Sequence, residues 1–132
     1  GQVFLYGNSE IFNNCTFNQD SADAYNVWTY GAKDVEFNNC TFNSAGKSVL
    51  IYHENASVTN DVSVTGCEFY ASSAVDGKAA IEMDSSLQGE IKLTVSNTNA
   101  NGFGSGNVSG NSLWNNKKGD KTSVYVDGTQ VL

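Results

Sequence analysis

Apolar and polar positions alternate along this chain in short runs. Val, Ile, Thr, Tyr and Phe cluster, and Asn, Ser, Gly and Asp separate the clusters. Within Val35-Glu36-Phe37, Val62-Ser63-Val64 and Ile91-Lys92-Leu93 the period is two, that of a strand with one face buried. The charged Glu36 therefore faces water, and Val35 and Phe37, Val62 and Val64, Ile91 and Leu93 face a core. No stretch of about ten residues carries the three-and-four apolar spacing of a helix. No apolar run approaches the roughly 18 residues of a membrane-spanning helix. The predicted fold class is all-β.

A repeat organises these strands. Phe12-Asn13-Asn14-Cys15-Thr16-Phe17 returns unchanged as Phe37-Asn38-Asn39-Cys40-Thr41-Phe42 and, weakened, as Val64-Thr65-Gly66-Cys67-Glu68-Phe69. The cysteines lie 25 and then 27 residues apart. A fourth copy at Leu93-Thr94-Val95-Ser96-Asn97-Thr98 puts Ser96 in the place of Cys and Thr98 in that of Phe. A second family of longer strands lies between these copies. Lys47 to His53 aligns with Lys78 to Asp84, both align with Lys121 to Asp127, and Tyr25 to Gly31 follows more loosely. Val3 to Gly7 looks like an earlier copy. Units of roughly 20 to 30 residues with three short strands predict a parallel β-solenoid, one unit to a turn. Equivalent residues would then stack at the ~4.8 Å strand spacing. A β-sandwich also has short strands, but nothing in it requires like residues at equivalent positions. Asn14 and Asn39 fall at the corner between two short strands, where Asn tolerates positive φ, and Gly66 takes the same place in the third unit. In the first unit Glu10 falls where Val35 sits in the second, which predicts a one-residue bulge or slip.

The Asn-Asn-Cys-Thr-Phe corners at 13–17 and 38–42, each after an alternating strand, resemble the repeats of right-handed parallel β-helices. These are the pectin-lyase-like coils of bacterial secreted and cell-surface proteins. The resemblance spans nearly the whole chain. It implies a right-handed parallel β-helix and an extracellular place at the bacterial surface. The repeat count gives about five coils, the length is that of a single domain over 1–132, and Gly1-Gln2-Val3 starts inside an apparent strand, so we expect a piece cut from a longer protein. The resemblance selects no activity, because the architecture carries lyases, hydrolases, adhesins and spacers.

Composition narrows the function further. Among 132 residues there are 17 Asn, 15 Ser and 13 Gly, no Pro and no Arg, and seven Lys oppose 14 carboxylates for a net charge of −7. Such a chain makes a poor polyanion binder, so no nucleic-acid partner is expected. Cys15, Cys40 and Cys67 share one repeat position. They lack the paired spacing of a zinc site, and as stacked neighbours they could be bridged or could simply fill a core ladder as small apolar groups. We expect the ladder, with no metal and no cofactor.

One constellation could be catalytic. His53, Asp84 and Asp127 end successive copies of the longer strand, with Glu82 beside them, and carboxylates with a nearby His can do acid–base work. The lyases that the resemblance brings to mind pair acidic calcium ligands with an Arg or Lys base. Here Arg is absent, and Lys47, Lys78 and Lys121 stand at the opposite end of the strand. A noncatalytic protein is expected. For the longer strands, Glu82 decides the facing: a core carboxylate without a partner is costly, so Trp28, Tyr30, Leu50, Tyr52, Ile81, Met83, Val124 and Val126 are placed inward. The outward face then carries Val27, Thr29, Val49, Ile51, Glu82 and Tyr125, with Val3, Leu5, Ala80 and Ser123. An exposed face this apolar marks a contact surface. With His53, these residues are the predicted binding site of a monomeric module; the resemblance to bacterial surface coils implies that the partner is a host extracellular protein, an immunoglobulin or a mucosal glycoprotein. The alternatives are a fragment of a polysaccharide lyase or hydrolase and a passive spacer. The longest loop, 99–120, holds Phe103 and Trp114, which are predicted to fold over the end of the coil.

Overall fold

The computed structural model describes residues 2–30, 32–52, 59–73, 78–83, 89–104, 112–115 and 121–132. These residues form a parallel β-solenoid with three sheets, each turn giving one strand to each sheet. Sheet A stacks β1 (Val3–Phe4), β4 (Val27–Tyr30), β7 (Val49–Tyr52) and β10 (Ile81–Met83). Sheet B stacks β2 (Ser9–Asn13), β5 (Asp34–Asn38), β8 (Thr59–Thr65), β11 (Glu90–Ser96) and β13 (Thr122–Val126), and β14 (Thr129–Gln130) turns back antiparallel on β13. Sheet C stacks β3 (Thr16–Asn18), β6 (Thr41–Ser44), β9 (Glu68–Ala71) and β12 (Asn99–Asn101). There are four turns, against the predicted five, and β13 begins another.

Alternation sets the core. In sheet B, Val35, Val62, Leu93 and Val124 stand in one inward column, and Phe37, Val64 and Val95 in the next. All of these are buried. In sheet C the inward column is Phe17, Phe42, Phe69 and Ala100. Its rings lie nearly parallel, with centroids 4.9 Å apart for Phe17–Phe42 and 4.5 Å for Phe42–Phe69. Phe37 meets Phe42 edge-on at 5.3 Å, which joins the two columns across the core. Parallel stacks and edge-to-face contacts both suit the ring quadrupole.

The corner between sheets B and C turns as the sequence predicts. Asn14, Asn39 and Asn97 have φ of 57°, 54° and 48°, and Gly66 has 65°. A Cβ on Gly66 would come within 2.4 Å of the Asn39 side-chain oxygen, so glycine answers crowding there as well as φ. Asn97 at the corner also moves the fourth copy from its predicted alignment. Cys67 is followed in its column by Thr98, and Phe69 by Ala100, so Ser96 is not the counterpart of Cys. The Thr98 hydroxyl behaves as the thiols do. It accepts from the Cys67 N–H at 3.3 Å and donates to the Ser96 carbonyl at 2.9 Å. The Cys67 thiol likewise accepts from the Cys40 N–H at 3.4 Å and donates to the Thr65 carbonyl at 3.4 Å. Cys15, Cys40 and Cys67 are unbridged thiols, and desolvation by burial pushes the latter two above the ordinary thiol range.

The predicted slip at Glu10 does not occur: Glu10 stands opposite Val35 in regular register. The first coil is only half-buried, and the carboxylate accepts the Gly7 N–H instead of entering a sealed core. At the other end, Phe103 and Trp114 join the core cluster, and Trp114 bridges to Ile81 as a further rung of sheet A. They cover the coil as the sequence predicts.

Two outcomes test this packing. Phe37→Ala should destabilise folding by about 3–5 kcal/mol in urea titrations, as a large-to-small change in a filled core. A loss below about 1 kcal/mol would contradict it. Cys15, half-exposed, should react with a thiol reagent in the native protein, and Cys40 and Cys67 only after unfolding. Because the latter two hold their protons more tightly when folded, their contribution to stability is complete below the unfolded thiol pKa. It is lost as pH rises from about 9 through the raised folded values. Urea midpoints at pH 7.5 and 10 should therefore fall further in the wild type than in a Cys40→Ala/Cys67→Ala variant.

Candidate functional site

The outer face of sheet A is the candidate site, with different occupants from those predicted. Pairing runs Val27–Val49–Ile81, Trp28–Leu50–Glu82 and Thr29–Ile51–Met83. Ile81 thus faces Val49, one residue away from the alignment drawn on Lys47 and Lys78. A one-residue change of register reverses every side chain in a strand. Glu82 does point outward, as argued from its charge, but it shares that face with Trp28 and Leu50. Val27, Thr29, Val49 and Ile51 point inward and are completely buried, so these four predicted contact residues belong to the core. Leu5 and Ala80 are buried as well.

Tyr125 is also elsewhere. Its strand, β13, joins sheet B beside β11, with Tyr125 opposite Thr94 and the Lys92 Nζ 5.4 Å from its ring centre. Asp127 leaves the predicted acidic column for the same reason. It lies in the turn between β13 and β14, and its carboxylate accepts the Asn97 N–H at 2.9 Å. His53 and Asp84 lie outside the described residues. Of the constellation of His53, Asp84, Asp127 and Glu82, the two described members stand apart, Glu82 in sheet A and Asp127 at the end of a sheet B strand. Among the described residues no three His, Cys, Asp or Glu side chains are grouped as metal ligands.

What the outer face of sheet A does carry is aromatic. Phe4 and Trp28 form one column, with ring centres 5.4 Å apart. Tyr6, Tyr30 and Tyr52 form the next, at 5.3 and 5.0 Å. Trp28 and Tyr30 link the columns at 6.3 Å, and Tyr25 packs edge-on against Trp28 under the Lys47 ammonium. Exposure falls along the coil. Phe4 is 45% and Tyr6 66% exposed, whereas Leu50 and Glu82 retain 5% and 4%. The Glu82 carboxylate takes one contact from the Lys78 Nζ at 3.4 Å, and its second oxygen is buried without a hydrogen bond. The surface is thus an aromatic plate over the first three strands of sheet A, closing at a shielded Lys–Glu pair. A signal for it was present in the sequence: Tyr6, Tyr30 and Tyr52 occupy equivalent positions, with the parity that Glu82 requires.

Comparison with known protein families, with characterised proteins and with solved structures finds no match. The class the coordinates define is the parallel β-solenoid.

The corrected facing can be measured. Thr29 is fully buried between apolar neighbours, and its hydroxyl has no hydrogen-bond partner among the described residues. Thr29→Val keeps the shape and removes an unsatisfied group, so it should stabilise the protein by about 1 kcal/mol. A surface threonine would give no gain, so an unchanged melting temperature would refute the inward assignment.

Proposed function

We propose that this domain is a noncatalytic recognition module of a bacterial cell-surface protein and binds a host extracellular protein through the outer aromatic plate of sheet A. One observation carries the reading: Phe4, Tyr6, Trp28, Tyr30 and Tyr52 share one flat, partly exposed face. Folding does not require rings on that side, because the core is filled from the opposite parity. Trp and Tyr dominate the energetics of protein interfaces, since they bring large area at low entropic cost and carry a polar tip. The geometry favours a protein over a stacked small ligand. Tyr30 and Tyr52 cover each other's faces at 27° and 5.0 Å, which leaves ring edges toward the outside. An outer face of aromatic rings and hydroxyls spread over three strands matches another protein surface better than it encloses a small molecule.

Binding of immunoglobulin and of mucosal glycoprotein, measured by interferometry, tests this. Tyr6→Ser and Tyr30→Ser should each weaken binding at least tenfold, about 1.4 kcal/mol. Tyr6 is the cleaner probe, because its exposure should leave melting unchanged. No binding of either partner, or equal affinity in both variants, would overturn the proposal. New reducing ends or unsaturated products from pectic or glucan polymers would overturn the noncatalytic part.

A further inference from the structure

A second surface, on sheet C, has a different chemistry. A groove of about 510 Å³ crosses three turns of the coil just beyond the ends of β3, β6 and β9. Its wall is the outward column Asn18, Asn43 and Tyr70, continued by Gln19, Asp20 and Ser72. The two asparagines form an amide ladder: Asn43 Nδ2 donates to Asn18 Oδ1 at 2.9 Å. A third asparagine would extend the ladder, but Tyr70 takes that rung. The Asn43 Oδ1 acceptor and the Asn18 Nδ2 donor are consequently left over among the described residues. Tyr70 is 44% exposed and has no ring against either face among the described residues.

We propose that this groove binds a short neutral glycan. A sugar offers an apolar CH face and a rim of hydroxyls, each both donor and acceptor. The groove offers the complement. The exposed part of the Tyr70 ring can take the CH surface, and the Asn43 amide oxygen, the Asn18 amide NH₂ and the Asp20 carboxylate line the same groove to take the hydroxyls. From Asn18 to Tyr70 is two rungs, about 10 Å at the strand spacing, the length of a disaccharide. The volume lies in the usual range for a small-ligand site. Charge selects against acidic sugars and phosphates: among the described residues the groove lining has a carboxylate and no cation, and the chain carries −7 overall. The floor is preorganised, because Ser44 is buried and fixed by hydrogen bonds with the Gly46 N–H at 3.2 Å and the Ser48 hydroxyl at 3.1 Å.

This site is independent of sheet A, so the two can fail separately. The probes are cellobiose, lactose, N-acetyllactosamine and maltose, with digalacturonate as the acidic control, read by saturation-transfer NMR on the folded domain. At least one neutral disaccharide should bind with a dissociation constant around 1 mM, typical of weak single-site affinity. Tyr70→Ala and Asn43→Ala should each weaken it at least tenfold without lowering the melting temperature, and Tyr6→Ser should leave it unchanged. Absence of binding by all four neutral sugars, preference for digalacturonate, or undiminished binding in Tyr70→Ala would overturn the proposal.

Discussion

Everything in this molecule is subordinate to the parallel backbone ladder between successive turns. Because strands pair in register at the ~4.8 Å strand spacing, each side chain's principal neighbour is its counterpart one turn away. An inward Phe is therefore best placed above another Phe, and Phe17, Phe42 and Phe69 stack with interplanar angles of 9°. The ladder also fixes the corner. Every turn must bend at the same point to keep sheets B and C in register, so positive φ recurs at Asn14, Asn39, Gly66 and Asn97. Asn and Gly are the residues for which this conformation costs least.

The same constraint sorts polar groups in the core by where they stand. At the corner the chain leaves carbonyls within reach. The thiols of Cys40 and Cys67 and the hydroxyl of Thr98 each find one, which is why Thr can replace Cys there. In mid-strand two polar side chains find no such acceptor among the described residues. Thr29, and Asn60 in its inward position opposite Ile91, are fully buried with side-chain polar atoms that have no partner. A buried polar group costs little where it reaches a backbone acceptor, even one that already serves the ladder, and much where it reaches none.

This division also separates what was legible in the sequence from what was not. The corner repeat is anchored by residues whose identity the backbone demands, so the solenoid, the inward face of sheets B and C and the covering role of Phe103 and Trp114 could all be read. The strands of sheet A have no such anchor. In the sequence they align on Lys47 and Lys78, whose side chains make no ladder contact among the described residues, across loops of unequal length, and that alignment differs from the observed register by one residue. The physical premise, that Glu82 cannot lie in the core, was sound. Applied to the wrong register, it turned Val27, Thr29, Val49 and Ile51 outward. The strand of Tyr125 was misplaced by the same route: Lys121 to Asp127 resembles a sheet A strand in composition but pairs with β11 in sheet B. The fourth corner failed more gently, because Thr and Ala replace Cys and Phe there and only the φ of Asn97 marks the position.

The outer faces of sheets A and C show how one stacking rule can yield two kinds of surface. On sheet A the tyrosine column is unbroken from Tyr6 through Tyr30 to Tyr52, and its rings spend much of their surface on one another. What remains is a broad aromatic plate. On sheet C the outward column begins as an amide ladder and is broken by Tyr70, between Asn43 on one side and Asn101 on the other. An amide ladder is satisfied only while each rung meets another amide, so a break leaves an unmet amide acceptor beside an exposed aromatic ring. An uninterrupted column thus favours a broad, shallow contact. An interrupted one concentrates unmet hydrogen-bonding capacity at a point and favours a small polar ligand. In a fold whose interior tolerates little departure from repetition, departures on the outside are where binding specificity can be built without disturbing the coil.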